Sequence, residues 1–581
     1  MVGTITPQPG PTSRVDIEKN HGSAPEIHDV DEKAQDTDSG SEMKQDGVKQ
    51  VEAVTTVWSP AMMWAVFGFL YLVSFVDTLL QAVHSSLVPY VTSSFSQHGL
   101  LAVIGVVASV IGGVSKLAIA KIIDIRGHNE GFLFMILLIL IGMIMKALCQ
   151  NVETYAAGHT FYWVGHVGLG YIVNVVLSDM TTLRNRMIMW GLYMSPRLAS
   201  TFGGPTIAEL FYKHSTYRWA FGSFCIIMVV CAMPVAGIFM FSKRKAKRLG
   251  LLPEKEKRPF WENFKMRLVE FDFIGMVLTI AGFSLILVPL NIAKTAPNGW
   301  ATGYIIAMLV VGVVCLGLFA VWEKYFAKVC FFPFHYLTDR TILGACLLSF
   351  FLNISIFAWD TYYGSYLQVV HNLSISVSGY TLNAFSVTST ILAPFIGLFL
   401  RWYGRYYWPA VAGIPFCVLG TALLIHFRQP GHALGYLVMC QVFHGVCGGI
   451  WAMTAPLAIM TTVTHQELAV VLALHSMFGS IGQAIGFAVS GAIWTNELPG
   501  RLYYELPDSA KAQSRVIFGK ITEQMRYPIG NPVRDGVIRA YAYVQRHMVI
   551  AGCAFLPAII VCVVVWRNLP LDKKQTKGTV F

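Results

Sequence analysis

Long apolar runs alternate with short polar segments along most of this chain. Each run is close to the roughly 20 residues that a helix needs to cross the hydrocarbon core of a bilayer. The runs lie at 61–82, 99–120, 131–149, 156–178, 187–208, 219–241, 273–292, 303–322, 341–367, 376–400, 407–426, 433–458, 467–494 and 548–566. This pattern predicts an all-α membrane protein with about fourteen transmembrane helices.

The apolar runs also contain an internal repeat. Three short echoes carry it: Asp77-Thr78 with Asp360-Thr361, Asp124-x-x-Gly127 with Arg401-x-x-Gly404, and Thr181-Thr182 with Thr461-Thr462. The members of these pairs lie 283, 277 and 280 residues apart. Many secondary transporters use parallel repeats of helical halves to build a binding site near the membrane midplane. We therefore expect two helical bundles that share a cavity.

The composition supports a membrane protein with one polar extension. The 581 residues are 55% hydrophobic and only 13% charged, which is far from the composition of a soluble chain. Residues 1–57 differ, with eleven acidic against five basic side chains and almost no aromatic ones. Such a segment cannot bury enough apolar surface to fold alone. We expect a disordered acidic tail that trafficking or ubiquitin machinery could recognise at Lys33, Lys44 or Lys49.

Clusters of basic residues predict the orientation of the chain. The densest cluster is Lys243–Arg248, directly after the sixth span. Short basic loops stay in the cytoplasm, so this loop and, by counting spans, both chain termini are expected to be cytoplasmic. The segment 495–547 is then an outer loop. It is too long and too rich in aromatic residues to be a neutral connection.

Ionisable residues within the apolar runs are the best indicators of function. A charge at this depth is costly unless it is paired or hydrated. Asp77 and Asp360 occupy corresponding places in the two halves, and a buried carboxylate suits the binding and release of a proton. His159 and His166 lie seven residues apart, on one helix face, and could relay protons. A role in helix packing alone is the alternative for all four.

Aromatic residues cluster around the second aspartate. Trp359, Tyr362, Tyr363 and Tyr366 would line an apolar cavity with polar donors, and His444 and Trp451 would add to it from a later span. Such a lining suits a bulky ligand that is rich in oxygen atoms. The alternative is a belt of tyrosines at the membrane interface.

Enzymatic chemistry finds little support in the sequence. It contains no P-loop, no nucleotide-binding glycine-rich turn and no nucleophile with a base at a known spacing. The eleven cysteines are scattered and do not follow zinc, haem or disulfide spacings. We expect a protein that is not an enzyme and has no cofactor, no bound metal and no nucleic-acid partner, with an ion gradient as its source of energy.

Two motifs resemble those of the major facilitator superfamily. Ala120-x-x-x-Asp124-x-Arg126-Gly127 is similar to that superfamily's signature between helices two and three, although glycine is usual where Ala120 stands. Gly203-Gly204-Pro205 looks like its proline-containing motif in helix five. The resemblance implies that Asp124, Arg126 and Gly127, echoed by Arg401 and Gly404, control the change of conformation.

More specific runs resemble the fungal siderophore-iron transporters of that superfamily. They are Phe75-Val76-Asp77-Thr78, Arg184-Asn185-Arg186 and Arg526-Tyr527-Pro528-x-Gly530 continuing to Ala540-Tyr541. The resemblance covers 58–570. It implies uptake of an intact ferric siderophore of hydroxamate type by proton symport across the plasma membrane, with residence in endosomal vesicles as an option. It also implies a role for Arg526 and Tyr527 in capturing the substrate at the entrance.

This resemblance implies a definite domain organisation. The expected parts are a tail at 1–57, a six-helix bundle at 58–242, a basic loop at 243–272, two additional helices at 273–322, a second six-helix bundle at 341–566 and a cytoplasmic tail at 567–581. Three other functions stay open on this scaffold: a fourteen-span drug:proton antiporter, a glutathione:proton exchanger, and a siderophore receptor that does not transport.

Overall fold

The computed structural model describes residues 58–126, 128–180, 193, 195–250, 269, 272–327, 332, 334–463 and 468–570. Predictions on the acidic tail, Gly127, Thr181-Thr182, Arg184–Arg186 and the C-terminal tail 571–581 fall outside these residues. The same holds for the side chains of Asp124 and Arg126.

The described part of the chain is built from helices. They are α1 Pro60–Ser94, α2 Leu101–Arg126, α3 His128–Leu148, α4 Val152–Met180, α5 Pro196–His214, α6 Tyr217–Arg248, α7 Phe273–Ile292, α8 Gly303–Tyr325, α9 Arg340–Asp360, α10 Tyr363–His371, α11 Ile375–Tyr403, α12 Tyr407–Phe427, α13 Leu434–Met460, α14 Leu468–Glu505, α15 Asp508–Lys511, α16 Ser514–Gly519, α17 Ile521–Gln524, α18 Pro532–Cys553 and α19 Leu556–Val564. Short 3-10 turns lie at His98–Leu100, Ala293–Thr295, Gly299–Ala301 and Phe334–Thr338. Within the described residues, twelve helical stretches are long and apolar enough to cross a membrane.

Local sequence explains where several of these helices begin and end. Asp339 accepts hydrogen bonds from the N–H groups of Thr341 and Ile342 and so caps the start of α9. Gly404 follows α11 with a φ of +73°, and its N–H donates to the Leu400 carbonyl oxygen. This left-handed conformation favours glycine after a helix, which explains why the repeated turn carries one.

The helices pack as two bundles with an additional pair. In the first bundle α3 packs on α4 and α6, and α1 packs on α5 and α6. In the second bundle α9 packs on α14, and α13 packs on α11 and α12. The two bundles meet along α2 with α14 and along α5 with α11. Helix α7 pairs with α8 and also contacts α2 and α14, whereas only 11% of the apolar stretch of α8 is buried inside the protein.

Two of the helices extend well beyond the apolar runs that predict them. Helix α14 continues to Glu505 and α18 begins at Pro532, so the non-membrane connection between them is 506–531 rather than 495–547. The added turns are amphipathic, with Leu498, Leu502 and Leu506 buried at four-residue spacing. Their polar outer face lowers the average hydropathy, which is why an apolar run underestimates the helix.

We name the two ends of the bundles after their loops. The long-loop end carries 506–531 together with the turns after α1, α3, α5, α10 and α12. The basic-loop end carries the last turns of α6, with Lys243–Arg248, and the turn at Gly404.

Candidate functional site

A cavity of about 300 Å³ is lined by four helices of the second bundle and by Arg197 of the first. Its walls come from the first turn of α5, the middle of α9 and α11, the second half of α13 and the second turn of α14. Arg197 on α5 and Ala455 on α13 show that the cavity lies nearer the basic-loop end. Its volume is at the lower limit of ligand pockets in proteins.

The polar lining of this cavity consists mainly of hydrogen-bond donors. It contains Arg197 and His475 as basic groups, and Ser349, Asn353, Ser386, Ser389 and Thr390 as hydroxyl and amide groups. Trp451, Phe385 and Leu352 supply apolar surface. The described lining contains no carboxylate. Such a wall can bind a ligand that presents several oxygen acceptors.

The long-loop end is closed by hydrogen bonds between the two bundles. The Tyr362 hydroxyl donates to the Gly99 carbonyl oxygen over 2.9 Å, and the Ser376 N–H donates to Glu209 Oε2 over 2.9 Å. Further bonds between the halves at this end join Tyr90 with Gln368, His98 with Ser365, and Thr206 with Tyr380. The structure therefore represents a state that is closed at the long-loop end.

Asp77 and His166 form a buried pair inside the first bundle. Asp77 Oδ2 lies 2.6 Å from His166 Nδ1, and the Asp77 side chain on α1 is almost fully buried. Within the described residues, Asp77 Oδ1 has no hydrogen-bond partner. A close carboxylate–imidazole pair can hold and pass a proton, so this pair has the geometry that the sequence-based hypothesis needs.

The second predicted histidine belongs to a neighbouring pair. His159 Nδ1 lies 2.9 Å from Nε2 of His84, and the Tyr155 hydroxyl lies 3.5 Å from Nδ1 of His84. The Tyr162 ring stacks between His159 and His166, with centroids 6.0 and 5.9 Å away. Sequence reasoning missed His84. It lies seven residues after Asp77 on α1, and this shared helix face was the available signal.

Lys146 completes this polar network in the first bundle. A lysine near the end of a span can reach the membrane surface, but only 1% of Lys146 is exposed. Its Nζ lies 4.0 Å from the centre of the Tyr162 ring and 5.3 Å from that of Phe221. Within the described residues it forms no ion pair. An attraction between a cation and aromatic faces stabilises such a position.

Asp360 in the second bundle has a different environment from Asp77. It is half-buried and accepts no hydrogen bond within the described part of the chain. It interacts electrostatically with Arg428, which is 0% exposed, without a direct ion pair. Arg428 Nη2 donates to the Trp359 carbonyl oxygen over 2.9 Å, while Nε and Nη1 have no partner in the part of the chain that the structure describes.

The aromatic residues around Asp360 do not line the central cavity. Trp359, Tyr362, Tyr363 and Tyr366 are all buried in the core near the long-loop end. Their spacing of three and four residues places them around the α9–α10 junction, where the Tyr363 ring lies 4.0 Å from the Arg428 guanidinium. In this closed state they lie outside the cavity described above, and their role in ligand binding stays a prediction.

His444 and Trp451 on α13 take separate roles. His444 is buried, and its Nε2 lies 3.0 Å from the Thr421 hydroxyl. Trp451 lines the cavity, and its Nε1 donates to the Ala410 carbonyl oxygen over 2.9 Å. Of the six predicted ligand-binding residues in the spans, Trp451 alone contributes to the described cavity wall.

The predicted capture residues lie on the connection between α14 and α18. Arg526 is exposed and pairs with Glu523 over 3.3 Å, and Tyr527 is half-buried. On the same connection, a hydrogen bond from Lys511 lowers the pKa of Asp508 below its ordinary value. At the basic-loop end Arg401 is exposed in the last turn of α11. These positions lie at the two ends of the bundles, away from the cavity.

Comparison with known proteins decides which family this fold and this site belong to. The model of the Major Facilitator Superfamily matches residues 70–487. "MFS siderochrome iron transporter 1" of Ajellomyces capsulatus is 48% identical over 573 residues, covering 97% of this chain and 98% of its own. The chain belongs to the siderophore-iron transporter family of this superfamily.

Other members of the family are similar over nearly the whole chain. "Siderophore iron transporter mirB" of Emericella nidulans is 38% identical and covers 95% of this chain and 92% of its own. "MFS siderochrome iron transporter B" of Aspergillus fumigatus is 40% identical and covers 93% of this chain and 88% of its own. The sequence-based assignment to the family is confirmed.

Solved structures support the fold of this family member. A bacterial homologue of the human lysosomal transporter Spinster aligns with a TM-score of 0.53 and 15% identity, covering 87% of this chain and 97% of its own. An auto-inhibited peptide transporter of the POT family aligns with a TM-score of 0.54 and 12% identity, covering 88% of this chain and 99% of its own. The predicted all-α facilitator fold is confirmed.

One cluster in this transporter has the side chains that soft metal ions prefer. The thiols of Cys417 and Cys447 and the His444 imidazole lie within 4.8 Å of one another, all buried. Thiolate and imidazole ligands suit zinc or Cu(I). The cluster is also internally bonded, because the Cys447 thiol donates to the His444 carbonyl oxygen over 3.2 Å. Packing of small thiols accounts for it equally well.

Proposed function

We propose that this protein imports intact ferric siderophores of hydroxamate type by proton symport across the plasma membrane. The observation that carries the proposal is the donor-rich cavity that the second bundle forms together with Arg197 of the first. A hydroxamate siderophore surrounds Fe(III) with its own oxygen atoms, so its transporter needs donors toward those oxygens and no iron ligands. Arg197, His475 and the hydroxyl groups of α9 and α11 are such donors.

The related transporters described above support this substrate class, because they are named as carriers of siderochrome or siderophore iron. They say nothing about the energy source. The buried pair of Asp77 with His166 supports the proton part of the proposal, since a titratable pair inside a membrane bundle is costly without a function. Asp360, His159 and the capture residues Arg526 and Tyr527 keep the roles proposed for them from the sequence.

The orientation and the membrane are part of the proposal. The basic residues of α6 favour a cytoplasmic basic-loop end, with both termini on that side. The structure closed at the long-loop end would then be an inward-facing state of an alternating cycle, in which the bundles rock about the cavity. Capture by the segment 506–531 would take place outside the cell.

Uptake by cells that lack their own siderophore importers tests this function. The chain is expressed there, and accumulation of radio-iron is measured with a panel of ferric hydroxamates, with and without a proton uncoupler. We expect accumulation for at least one siderophore and its loss with the uncoupler. Binding without accumulation would instead indicate a receptor. Resistance to drugs or proton-linked glutathione movement, without iron uptake, would indicate an exchanger of the same scaffold.

A further inference from the structure

Each bundle buries a cation near its long-loop end. Lys146 lies near the end of α3, the third helix of the first bundle, and Arg428 directly follows α12, the third helix of the second. Each cation lies 4.0 Å from the centre of a tyrosine ring, that of Tyr162 or Tyr363. Within the described residues, neither forms an ion pair with a carboxylate.

The repeated aspartates accompany these two cations. Asp77 lies on α1 and Asp360 at the end of α9, the first helices of the two bundles. Both halves therefore combine an acid on the first helix with a buried base at the third. The halves share this arrangement but not its chemistry.

The buried polar cluster of the first bundle consists of groups that can exchange protons. Asp77 pairs with His166 at 2.6 Å, and His84 pairs with His159 at 2.9 Å. Imidazoles change their charge near physiological pH, and a lysine ammonium can lose its proton when buried. The Tyr162 ring lies between the two pairs and beside Lys146, so a proton gained by one of these groups changes the charge close to all the others.

The second bundle places a permanent charge at the corresponding site. An arginine guanidinium is not deprotonated in proteins. Arg428 is held by the Trp359 carbonyl oxygen and by the faces of Trp359, Tyr363 and Tyr366. The imidazole of His444 points to the Thr421 hydroxyl rather than to a carboxylate. This cluster can balance the charge of Asp360 but cannot easily release a proton of its own.

We infer that the coupling proton is bound in the first bundle by a network that includes Lys146 and His84 beside Asp77, His159 and His166. Arg428 keeps its charge throughout the cycle and serves as a fixed electrostatic contact in the second bundle. This inference rests on the proposed proton symport and makes it more specific, because it adds Lys146 and His84 to the proton-binding groups.

Every helix packed around Lys146 contributes to the charge balance of the network. The titratable and charged groups are Asp77 and His84 from α1, Tyr155, His159, Tyr162 and His166 from α4, and Arg218 from α6, whose guanidinium donates to the Cys149 carbonyl oxygen over 2.9 Å. Among them Asp77 is the one carboxylate. Cations at this spacing repel in a medium of low dielectric constant, so gain of one proton affects the interactions of the whole cluster.

The experiment uses the full-length protein in proteoliposomes with a ferric trihydroxamate labelled with radio-iron. A pH difference of one unit is imposed, which should support about a tenfold accumulation by a one-proton symporter, since tenfold corresponds to about 1.4 kcal/mol. Exchange of labelled for unlabelled siderophore at equal pH is measured in parallel. This exchange needs a folded, moving protein but no net proton transfer.

We expect Lys146→Arg to lose the roughly tenfold accumulation and to keep the exchange, because arginine holds its charge at that place. His84→Gln, which removes a second proton-exchanging group, should behave in the same way, so the inference stays testable if the arginine does not fit. Arg428→Lys should keep the accumulation. Lys243→Arg is the matched control, since Lys243 pairs with Glu130 at the opposite end of α3 and α6.

Two results would overturn the inference and are distinguishable. If the wild-type protein accumulates siderophore with the gradient and both Lys146→Arg and His84→Gln still do so, the proton is bound elsewhere while the proposed function stands. If the wild-type protein exchanges siderophore but ignores the gradient, proton symport itself is refuted, and the inference fails with it.

Discussion

The contact between Asp77 and His166 allows the most direct test of proton coupling. In Asp77→Asn the side chain keeps its shape and can still hydrogen-bond to the imidazole 2.6 Å away, but it no longer carries a charge. A hydrogen bond to a charged group contributes about 1.5–3 kcal/mol to stability and a neutral one about 0.5–1.5 kcal/mol. We therefore expect the variant to fold, with a free energy of unfolding lowered by about 1–2 kcal/mol.

The Asp77→Asn variant should lose proton-coupled accumulation although it remains folded. Without a titratable carboxylate, the variant should exchange siderophore across the membrane but not accumulate it against a gradient. Uptake of radio-iron siderophore is measured at external pH values between about 5 and 8, in steps of about one unit. The wild-type rate should fall as the external pH rises, because proton binding from outside precedes transport. The variant's rate should be flat.

A control variant and a second variant test whether Asp77 and His166 act as a pair or independently. Glu153→Gln removes an exposed carboxylate from the first turn of α4, the helix that carries His166, and should leave the pH profile unchanged. His166→Gln should resemble Asp77→Asn, and the double variant should lose little more than either single one, as residues that act as a unit do. Wild-type accumulation by Asp77→Asn would refute this reasoning.

Three further variants test the cavity, the closure and the second bundle. Arg197→Gln should weaken siderophore binding about tenfold or more, since a charged hydrogen bond contributes about 1.5–3 kcal/mol; equilibrium binding measures this. Glu209→Gln should weaken the closure at the long-loop end and increase the labelling rate of a cysteine introduced at Ser365, and an unchanged rate would contradict the closure. Arg428→Met should lower the thermal unfolding temperature by leaving Asp360 without its counter-charge. Adding Asp360→Asn should restore part of that loss, and a further decrease would disprove the pairing.

The fold was largely predictable from the sequence because each transmembrane helix contains a long apolar run. Such a run forms a helix because the hydrocarbon core contains no water that could satisfy the hydrogen-bonding groups of an irregular backbone. The errors lie at the helix ends outside the hydrocarbon core. There α14 and α18 bury one face against the protein and expose the other, as Leu498 and Leu502 show, and average hydropathy no longer reports the helix.

The candidate site was predictable only in part, because sequence spacing does not tell which neighbour a helix face meets. The pairing of His166 with Asp77 follows from the packing of α4 against α1, and that of His159 with His84 from the same contact. A lysine near a helix end can either reach the membrane surface or stay inside the bundle, so the sequence alone did not predict the position of Lys146. Only the aromatic rings of neighbouring helices show that it stays inside.

The difference between the two bundles agrees with the proposed proton symport. A symporter needs one site whose charge changes when a proton binds, but it also needs the closure between its halves to respond to that change. The first bundle has the titratable groups, and Tyr90 on the same helix as Asp77 and His84 bonds across to Gln368 on α10. Helix α10 also carries Tyr363 and Tyr366 against the fixed charge of Arg428. A change of charge on α1 therefore acts on the contact between Tyr90 and Gln368. Gln368 lies on a helix that is held by the fixed charge of Arg428, so proton binding on α1 can break this contact and open the long-loop end.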